Sequence, residues 1–205
     1  MKIGKKRSQK SVGMMIAGAY FMGIGTGVAL LSTLSGDSVA FLWEAISMNF
    51  PISVEVANVC MTAGLLFYVI IQDRTVLGIG TILCPLIQNL GIMTIGWMGI
   101  PFAATMFADW FYGLSGLTIL AVGCGMVVFA QMGPSAYLAA AKVLEKKLHW
   151  NFGVIIVMMD TVCFVAACLL EKRIAVGPLI ATAVNGPMID GTIKILEKLY
   201  KCKNL

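Results

Sequence analysis

The sequence has few charged residues, which make up only 12% of its 205 positions. A soluble domain carries roughly a quarter, so this scarcity excludes an ordinary soluble globular protein. The only histidine is His149, and no two of the six cysteines form a CxxC pair, so a typical zinc site and a disulfide framework both lack their residues. No phosphate-binding Gly-x-x-x-x-Gly-Lys-Ser/Thr loop occurs, and no nucleophile stands near a base. We therefore expect no enzyme, no metal and no other cofactor.

Long apolar stretches dominate what is present. Hydrophobic residues make up 59% of the chain, and its mean hydropathy is +0.90. A helix needs about 20 apolar residues to cross the hydrocarbon of a bilayer. Six stretches qualify as expected spans, at roughly 11–34, 53–71, 76–96, 111–132, 152–170 and 174–195. The sequence thus predicts one all-α membrane domain over residues 1–205, with the first stretch retained as a span.

The basic residues indicate the orientation of the chain in the membrane. With a cytoplasmic N-terminus, every Lys and Arg except Lys172 and Arg173 falls on the cytoplasmic side, as the positive-inside rule requires. We expect a multi-pass protein of the bacterial cytoplasmic (inner) membrane with both termini inside. Its net charge of +5 reports topology and contact with the lipid bilayer, and no nucleic-acid partner is expected.

A pattern of small residues occurs twice. Gly25-Thr26-Gly27, Gly36-Asp37-Ser38 and Gly78-Ile79-Gly80 return as Gly123-Cys124-Gly125, Gly133-Pro134-Ser135 and Gly177-Pro178. The copies lie about 97 to 102 residues apart and define repeat 1 (about 11–96) and repeat 2 (about 111–195). Three spans in each repeat would place the second copy inverted in the bilayer, an arrangement typical of alternating-access transporters.

A short amphipathic helix is expected after the first span of each repeat. In the first, Asp37 or Ser38 can cap the helix, and residues 35–52 contain acidic but no basic side chains. The second, within residues 133–151, carries three lysines and is expected to lie at the membrane interface. The glycines of spans 1 and 4 indicate either tight helix packing or a sliding surface. The four tryptophans fall near predicted span ends and indicate interfacial anchors.

The third span of each repeat contains glycine and proline, which predict kinked or unwound helices. These expected helix breaks are Gly78, Gly80 and Pro85 in span 3, and Gly177, Pro178, Gly186 and Pro187 in span 6. The run Asn185-Gly186-Pro187-Met188-Ile189-Asp190 resembles the Gly-Pro-x-Ile-Asp close of the YczE/YyaS/YitT-like bacterial membrane proteins, and Gly78–Thr81 resembles its first-half version. That resemblance covers nearly the whole chain and implies a small multispan protein without a settled activity. Span 3 departs from it at Gln88-Asn89-Leu90-Gly91.

Six polar side chains inside the spans are candidates for binding a solute or a proton. Three are acidic, and ionised groups are costly inside a bilayer and tend to be functional. The other three are amides beside the expected helix breaks. The candidates are Asp160, Asp190, Glu55, Asn89, Gln88 and Asn185. A structural role remains open for each, such as a buried hydrogen bond at Asp160 or bracing of the break at Asp190.

These observations lead to one functional expectation and two alternatives. The first is a secondary transporter or permease for a small polar or organic solute, with proton coupling through Asp160 or Asp190. The second is a substrate-binding membrane subunit of an energy-coupled uptake system. The third is a membrane-embedded interaction or regulatory protein that uses helix 134–148 for docking. A homodimer is compatible with each of these functions, and the sequence leaves the oligomeric state open.

Overall fold

A computed structural model describes residues 2–32, 37–171 and 176–202, with side chains described for 11–32, 37–54, 56–170 and 176–200. This part of the chain is all helical and contains no strand. One 3-10 turn, Arg74–Val76, separates the third and fourth helices. The described α-helices are α1 (Lys2–Ala29), α2 (Ser38–Asn49), α3 (Val54–Gln72), α4 (Ile79–Trp97), α5 (Met106–Ala130), α6 (Ala136–Leu148), α7 (Phe152–Glu171) and α8 (Val176–Cys202).

Four of the described helices are long and apolar enough to cross a membrane. They are Ser11–Ala29 of α1, Ile79–Trp97, Met106–Ala130 and Phe152–Leu170 of α7. In α3 the apolar stretch is shorter, Val56–Gln72. The sixth expected span corresponds to α8, which is not among the four because Asn185, Asp190 and Lys194 interrupt its apolar surface. Several long apolar helices thus indicate a multi-pass membrane protein.

The central contact is an antiparallel crossing of α1 and α5 through glycine. A Cβ atom on Gly25 would lie 2.3 Å from the backbone nitrogen of Leu120 and 2.7 Å from the carbonyl oxygen of Gly116. At the other end of the crossing, a Cβ atom on Gly18 would lie 2.9 Å from the carbonyl oxygen of Gly123. Only glycine lets two helix backbones approach so closely. The tight packing expected of these glycines is therefore confirmed.

The two short helices lie at opposite ends of the molecule, because α2 follows α1, α6 follows α5, and α1 and α5 are antiparallel. Each packs on a helix from the other half of the chain. Helix α2 lies on α7, where the ring centroids of Phe41 and Phe164 are 6.1 Å apart. Helix α6 lies on α3, where Lys146 forms a 2.6 Å ion pair with Asp73.

Local signals explain where these short helices begin. Asp37 is the N-cap of α2 and accepts a 2.7 Å hydrogen bond from the Ala40 backbone nitrogen. Of the two residues expected to cap this helix, Asp37 therefore does so. Ser38 instead hydrogen-bonds the Thr182 side chain of α8. Helix α6 begins after Ser135, which makes no side-chain cap bond.

Helix α6 is more buried than an interfacial helix would be. Ala139, Ala140, Ala141 and Val143 are at most 1% exposed. These small side chains allow α6 to pack against α3 and α7. Its apolar face therefore contacts protein, and the expected position of the helix at the membrane interface stays a prediction.

The expected helix breaks do not interrupt any helix. Pro85 lies inside the continuous helix α4, and Pro187 lies inside α8. Each proline removes one backbone donor, and membrane helices tolerate this where neighbouring groups satisfy the freed carbonyl. The other residues of this set serve the helix starts or helix contacts: Gly78 caps α4, Gly80 donates to the Met132 carbonyl at 2.9 Å, Gly177 and Pro178 form the first turn of α8, and Gly186 contacts α7.

Candidate functional site

A cavity of about 240 Å³ lies in the interior, between the two halves of the chain. Residues of every α-helix except α3, together with residues of the turns before α2 and α6, line it. Most of its wall is apolar, and a small number of polar side chains face it. This composition is typical of small-molecule sites, where a few polar groups orient a ligand on an apolar surface.

Asp160 is the most deeply buried acidic candidate in this cavity. It stands near the middle of α7 and is 3% exposed. The hydroxyl group of Tyr137, on α6, donates a hydrogen bond to its Oδ1 atom. Its Oδ2 atom is also buried and has no hydrogen-bond partner among the described residues.

Two amide side chains, one on α4 and one on α8, also face the cavity. Asn185 of α8 is 7% exposed and lies next to the Asp160 carboxyl group. Its Oδ1 atom is buried without a hydrogen-bond partner in the described part of the chain. Gln88 of α4 is half-buried and lines the cavity from the other repeat. The structure therefore brings Asp160, Asn185 and Gln88 to one site.

Asp37 is a second carboxyl group of the cavity, which sequence analysis assigned only to capping. Burial raises the pKa of Asp37, and the hydrogen bond from the Ala40 backbone acts in the opposite direction. Asp37 also lies near enough to Asp160 for the two carboxyl groups to repel each other. The repeat pattern did not reveal this residue, because it aligns Asp37 with Pro134; the structure instead places Asp37 and Ser135 alike, each directly before a short helix and each lining the cavity.

Two aromatic lining residues were also missed. Trp43, expected as an interfacial anchor, faces the cavity and donates a 3.3 Å hydrogen bond to the Met61 sulfur. Tyr137, on α6, donates a hydrogen bond from its hydroxyl group to the Asp160 carboxyl group. Neither role has a local sequence signal, since both depend on which helices meet at the cavity.

Twelve of the twenty residues that line the cavity form six pairs, whose members lie 97 or 98 positions apart in the sequence. The two members of each pair face the same space. These pairs are Asp37 with Ser135, Val39 with Tyr137, Ala40 with Leu138, Met22 with Leu120, Thr26 with Cys124, and Gln88 with Asn185. Asp160 is one of the eight lining residues outside these pairs: Thr62 on α3, 98 positions earlier, does not line the cavity and donates instead to Asn58 at 3.1 Å.

The other candidates lie elsewhere or outside the described side chains. Asp190 is outside the cavity and forms a 2.7 Å ion pair with Lys194, one turn later in α8. Asn89 lies on the exposed surface of α4, although its neighbour Gln88 faces inward. The side chain of Glu55 lies outside the described residues.

The site has the chemistry of a binding pocket. Its polar groups are carboxyl, amide and hydroxyl side chains, and its described lining contains no Lys, Arg or His. Among the described residues, no group of three or more His, Cys, Asp or Glu side chains could hold a metal ion. Buried acceptors facing a small apolar cavity are suited to holding a ligand by hydrogen bonds and charge.

Comparison with known proteins identifies the family of the chain. No curated protein and no solved structure matches it. A family profile described as "Family of unknown function (DUF6198)" matches residues 9–194. The matched region includes the cavity residues of both repeats and all six candidate residues of the sequence analysis. The chain therefore belongs to DUF6198, a family of unknown function.

Proposed function

We propose that this protein is a secondary transporter, a permease for a small polar or organic solute in a bacterial cytoplasmic membrane. The observation that carries this proposal is the partly paired lining of the cavity: twelve lining residues, in pairs 97 or 98 positions apart, surround one space that contains buried polar groups. Transporters with repeated halves bind their substrate at the interface of the repeats, near the middle of the bilayer.

The proposed topology has six spans, with α3 and α8 added to the four long apolar helices. The antiparallel contact of α1 with α5, and the reciprocal packing of α2 on α7 and α6 on α3, support two inverted three-span repeats. Arg74, Lys146 and Lys147 lie together where the end of α3 meets α6. This basic end supports a cytoplasmic location for both termini.

Cysteine accessibility tests this topology. Met48, near the end of α2, and Leu148, at the end of α6, are both exposed. In a variant without native cysteines, Met48→Cys should react with a membrane-impermeant maleimide from the outside of intact cells. Leu148→Cys should react only after the membrane is permeabilised. Labelling of both positions from one side would reject the inverted arrangement and the transporter proposal with it.

In the proposed mechanism, rocking of the two halves about the α1–α5 crossing opens the cavity to one side of the membrane and then to the other. Asp160 is the proposed solute and proton site, because a carboxyl group inside a membrane protein can bind and release a proton during such a cycle. Asp190, the alternative proton site expected from sequence, is paired with Lys194 outside the cavity.

Transport by the purified protein tests this function. We would identify a stabilising solute by a thermal-shift screen of metabolites and then measure its uptake into proteoliposomes, with and without a pH gradient. Uptake by the protein alone supports a secondary transporter. Binding without uptake, together with an ATPase that co-purifies, would instead favour the substrate-binding subunit. The buried apolar face of α6 offers little surface for docking a soluble partner, which counts against the interaction protein.

We further propose that DUF6198 is related to the YczE/YyaS/YitT-like proteins, a likeness that rests on the Gly186–Asp190 motif. A solved structure of such a protein with a different helix order and no paired cavity would contradict this relationship.

A further inference from the structure

Two buried oxygen atoms in the cavity wall have no hydrogen-bond partner in the described part of the chain. These atoms are Asp160 Oδ2 and Asn185 Oδ1. Both residues are more than nine-tenths buried and face the same cavity from adjacent helices. Unsatisfied buried acceptors are costly, and few occur in native proteins without a reason. Two of them side by side point to a ligand that brings donors.

The charge of the lining defines the ligand further. Asp37 and Asp160 both face the cavity, and no Lys, Arg or His occurs among the described lining residues. An ionised carboxylate in an apolar environment is unfavourable unless it is paired. A ligand with a positive charge would pair with it, whereas an anionic ligand would be repelled by both carboxyl groups.

The two acceptors also distinguish among cations. One ligand nitrogen needs at least two N–H groups to donate to Asp160 Oδ2 and Asn185 Oδ1 together, which a primary ammonium has and a quaternary ammonium lacks. The wall contributed by residues such as Leu117 and Ile156 is apolar and would contact the hydrocarbon part of the ligand. The volume of about 240 Å³ is below the range of roughly 300–1,000 Å³ typical of drug-sized ligands.

We propose that this cavity binds a small primary amine in its ammonium form, with Asp160 and Asn185 as the two acceptors of its N–H groups. The inference rests on the proposed function, since it names the solute class of the same site. Asp37 adds a second carboxyl group to the wall, which offers the ligand a further hydrogen-bond acceptor. The hydroxyl group of Tyr137 donates its hydrogen bond to Oδ1 of Asp160, so Oδ2 remains to accept one from the ligand.

The test uses detergent-purified protein at pH 7.5 and linear primary amines from methylamine to hexylamine. Each amine is compared with the alcohol and the carboxylate of the same chain length, and with its trimethylated ammonium. Dissociation constants are measured by calorimetry and binding is checked by thermal shift. At least one primary amine should bind about ten- to a hundredfold more tightly than its three analogues, since hydrogen bonds to charged groups are worth about 1.5–3 kcal/mol. An alcohol, carboxylate or trimethylated analogue that binds as well as the amine, or no amine binding at all, would overturn the proposal.

Variants assign the site. Asp160→Asn and Asn185→Leu should each weaken amine binding by about tenfold or more. Asp190→Asn is the matched control, because this carboxyl group lies outside the cavity, and its amine affinity should equal that of the wild type. Equal losses in all three variants would overturn the assignment. Should a cavity variant not fold, the comparison of analogues on the wild-type protein still decides the proposal.

The failure of this inference can be separated from the failure of the proposed function. Amine binding without uptake in proteoliposomes would leave the amine site in place and reject the transporter. Uptake of a neutral or anionic solute by a protein that binds no amine would support the transporter and overturn the amine site.

Discussion

The two halves of the molecule, α1–α4 and α5–α8, share one order of helices but differ in how their last two helices pack. Helix α7 packs along α8, whereas α3 and α4 make no comparable contact in the described part of the chain. At the α7–α8 contact, a Cβ atom on Gly186 would lie 2.3 Å from the carbonyl oxygen of Gly153. The corresponding residues of the first half, about 98 positions earlier, are Glu55 and Asn89. Glycine permits this close approach, and the larger residues do not.

This difference has a consequence for the cavity. Because α7 packs closely on α8, Asp160 lies next to Asn185. In the first half, Thr62 of α3 bonds Asn58 on its own helix, and Gln88 of α4 faces the cavity without a partner from α3. Two similar halves can thus form an asymmetric site, in which the second half supplies the intramembrane carboxyl group.

The largest expected effect tests the part that the two halves share. Gly25→Leu and Gly123→Leu occupy corresponding positions of the α1–α5 crossing, where an added Cβ atom would meet backbone atoms at 2.3 Å and 2.5 Å. Each should lower the free energy of unfolding by about 3 kcal/mol or more, because the collision is with backbone atoms that cannot move independently. Unfolding in detergent, followed by circular dichroism, measures this loss. Gly64→Leu is the control, since a Cβ atom there meets nothing within 4 Å. A loss of stability in only one of the two variants would show that Gly25 and Gly123 do not play the same role in the two halves.

The next effect tests the part that differs. Gly186→Ala should destabilise the protein by about 2 kcal/mol, because its Cβ atom would collide with Gly153 and separate α7 from α8. Asn89→Ala, the corresponding change on the exposed surface of α4, should change stability by less than about 0.5 kcal/mol. Thermal unfolding of both variants in the same detergent compares them. Similar losses would show that α3 and α4 pack more closely in solution than the structure describes.

A smaller effect is expected at Asp160, whose hydrogen bond with Tyr137 lies within the second half. Tyr137→Phe removes the hydroxyl group that donates to Asp160 Oδ1 and should cost about 1 kcal/mol of stability. Val39, 98 positions earlier, has no hydroxyl group. Tyr112→Phe on α5 is the control with little expected change, because it makes the same substitution at a tyrosine whose hydroxyl group has no described hydrogen bond. Denaturant titration measures both. A fully stable Tyr137→Phe protein would indicate that this hydrogen bond does not contribute to the fold.

The smallest effect concerns the ion pair that joins the halves at the α6 end. The pKa of Asp73 is lowered to about 2 by its hydrogen bonds with Lys146 and Thr75. Because its folded pKa is depressed, the stabilisation is present above its ordinary pKa near 3.8 and is lost as the pH falls through about 2. Lys146→Ala should lower the melting temperature slightly at pH 7 and by clearly less at pH 2, where about half of the carboxyl groups are protonated. Exposed Lys198→Ala is the control. An equal difference at the two pH values would contradict this assignment.

The sequence predicted most of the helices closely. The expected stretch 152–170 matches the apolar part of α7, Phe152–Leu170, and the expected helix 134–148 begins two residues before α6 and ends with it. The cap at Asp37 could also be predicted, because an acidic side chain two residues before the first apolar run has a local role. The sequence did not predict which face of each helix is buried. Asn89 and Gln88 are neighbours, yet one is exposed on α4 and the other lines the cavity.

By itself, the sequence determined that the chain is helical and apolar, because span length and capping are local properties, and its residue spacing predicted a repeat. The tertiary structure alone decided that Asp37, Asp160 and Asn185 share a cavity while Asp190 lies outside it. The physical reason is that a membrane helix is apolar on nearly every side, so hydropathy does not distinguish its lipid-facing surface from its protein-facing one. Close contacts between glycines on distant helices made that distinction, and they exist only in the folded chain.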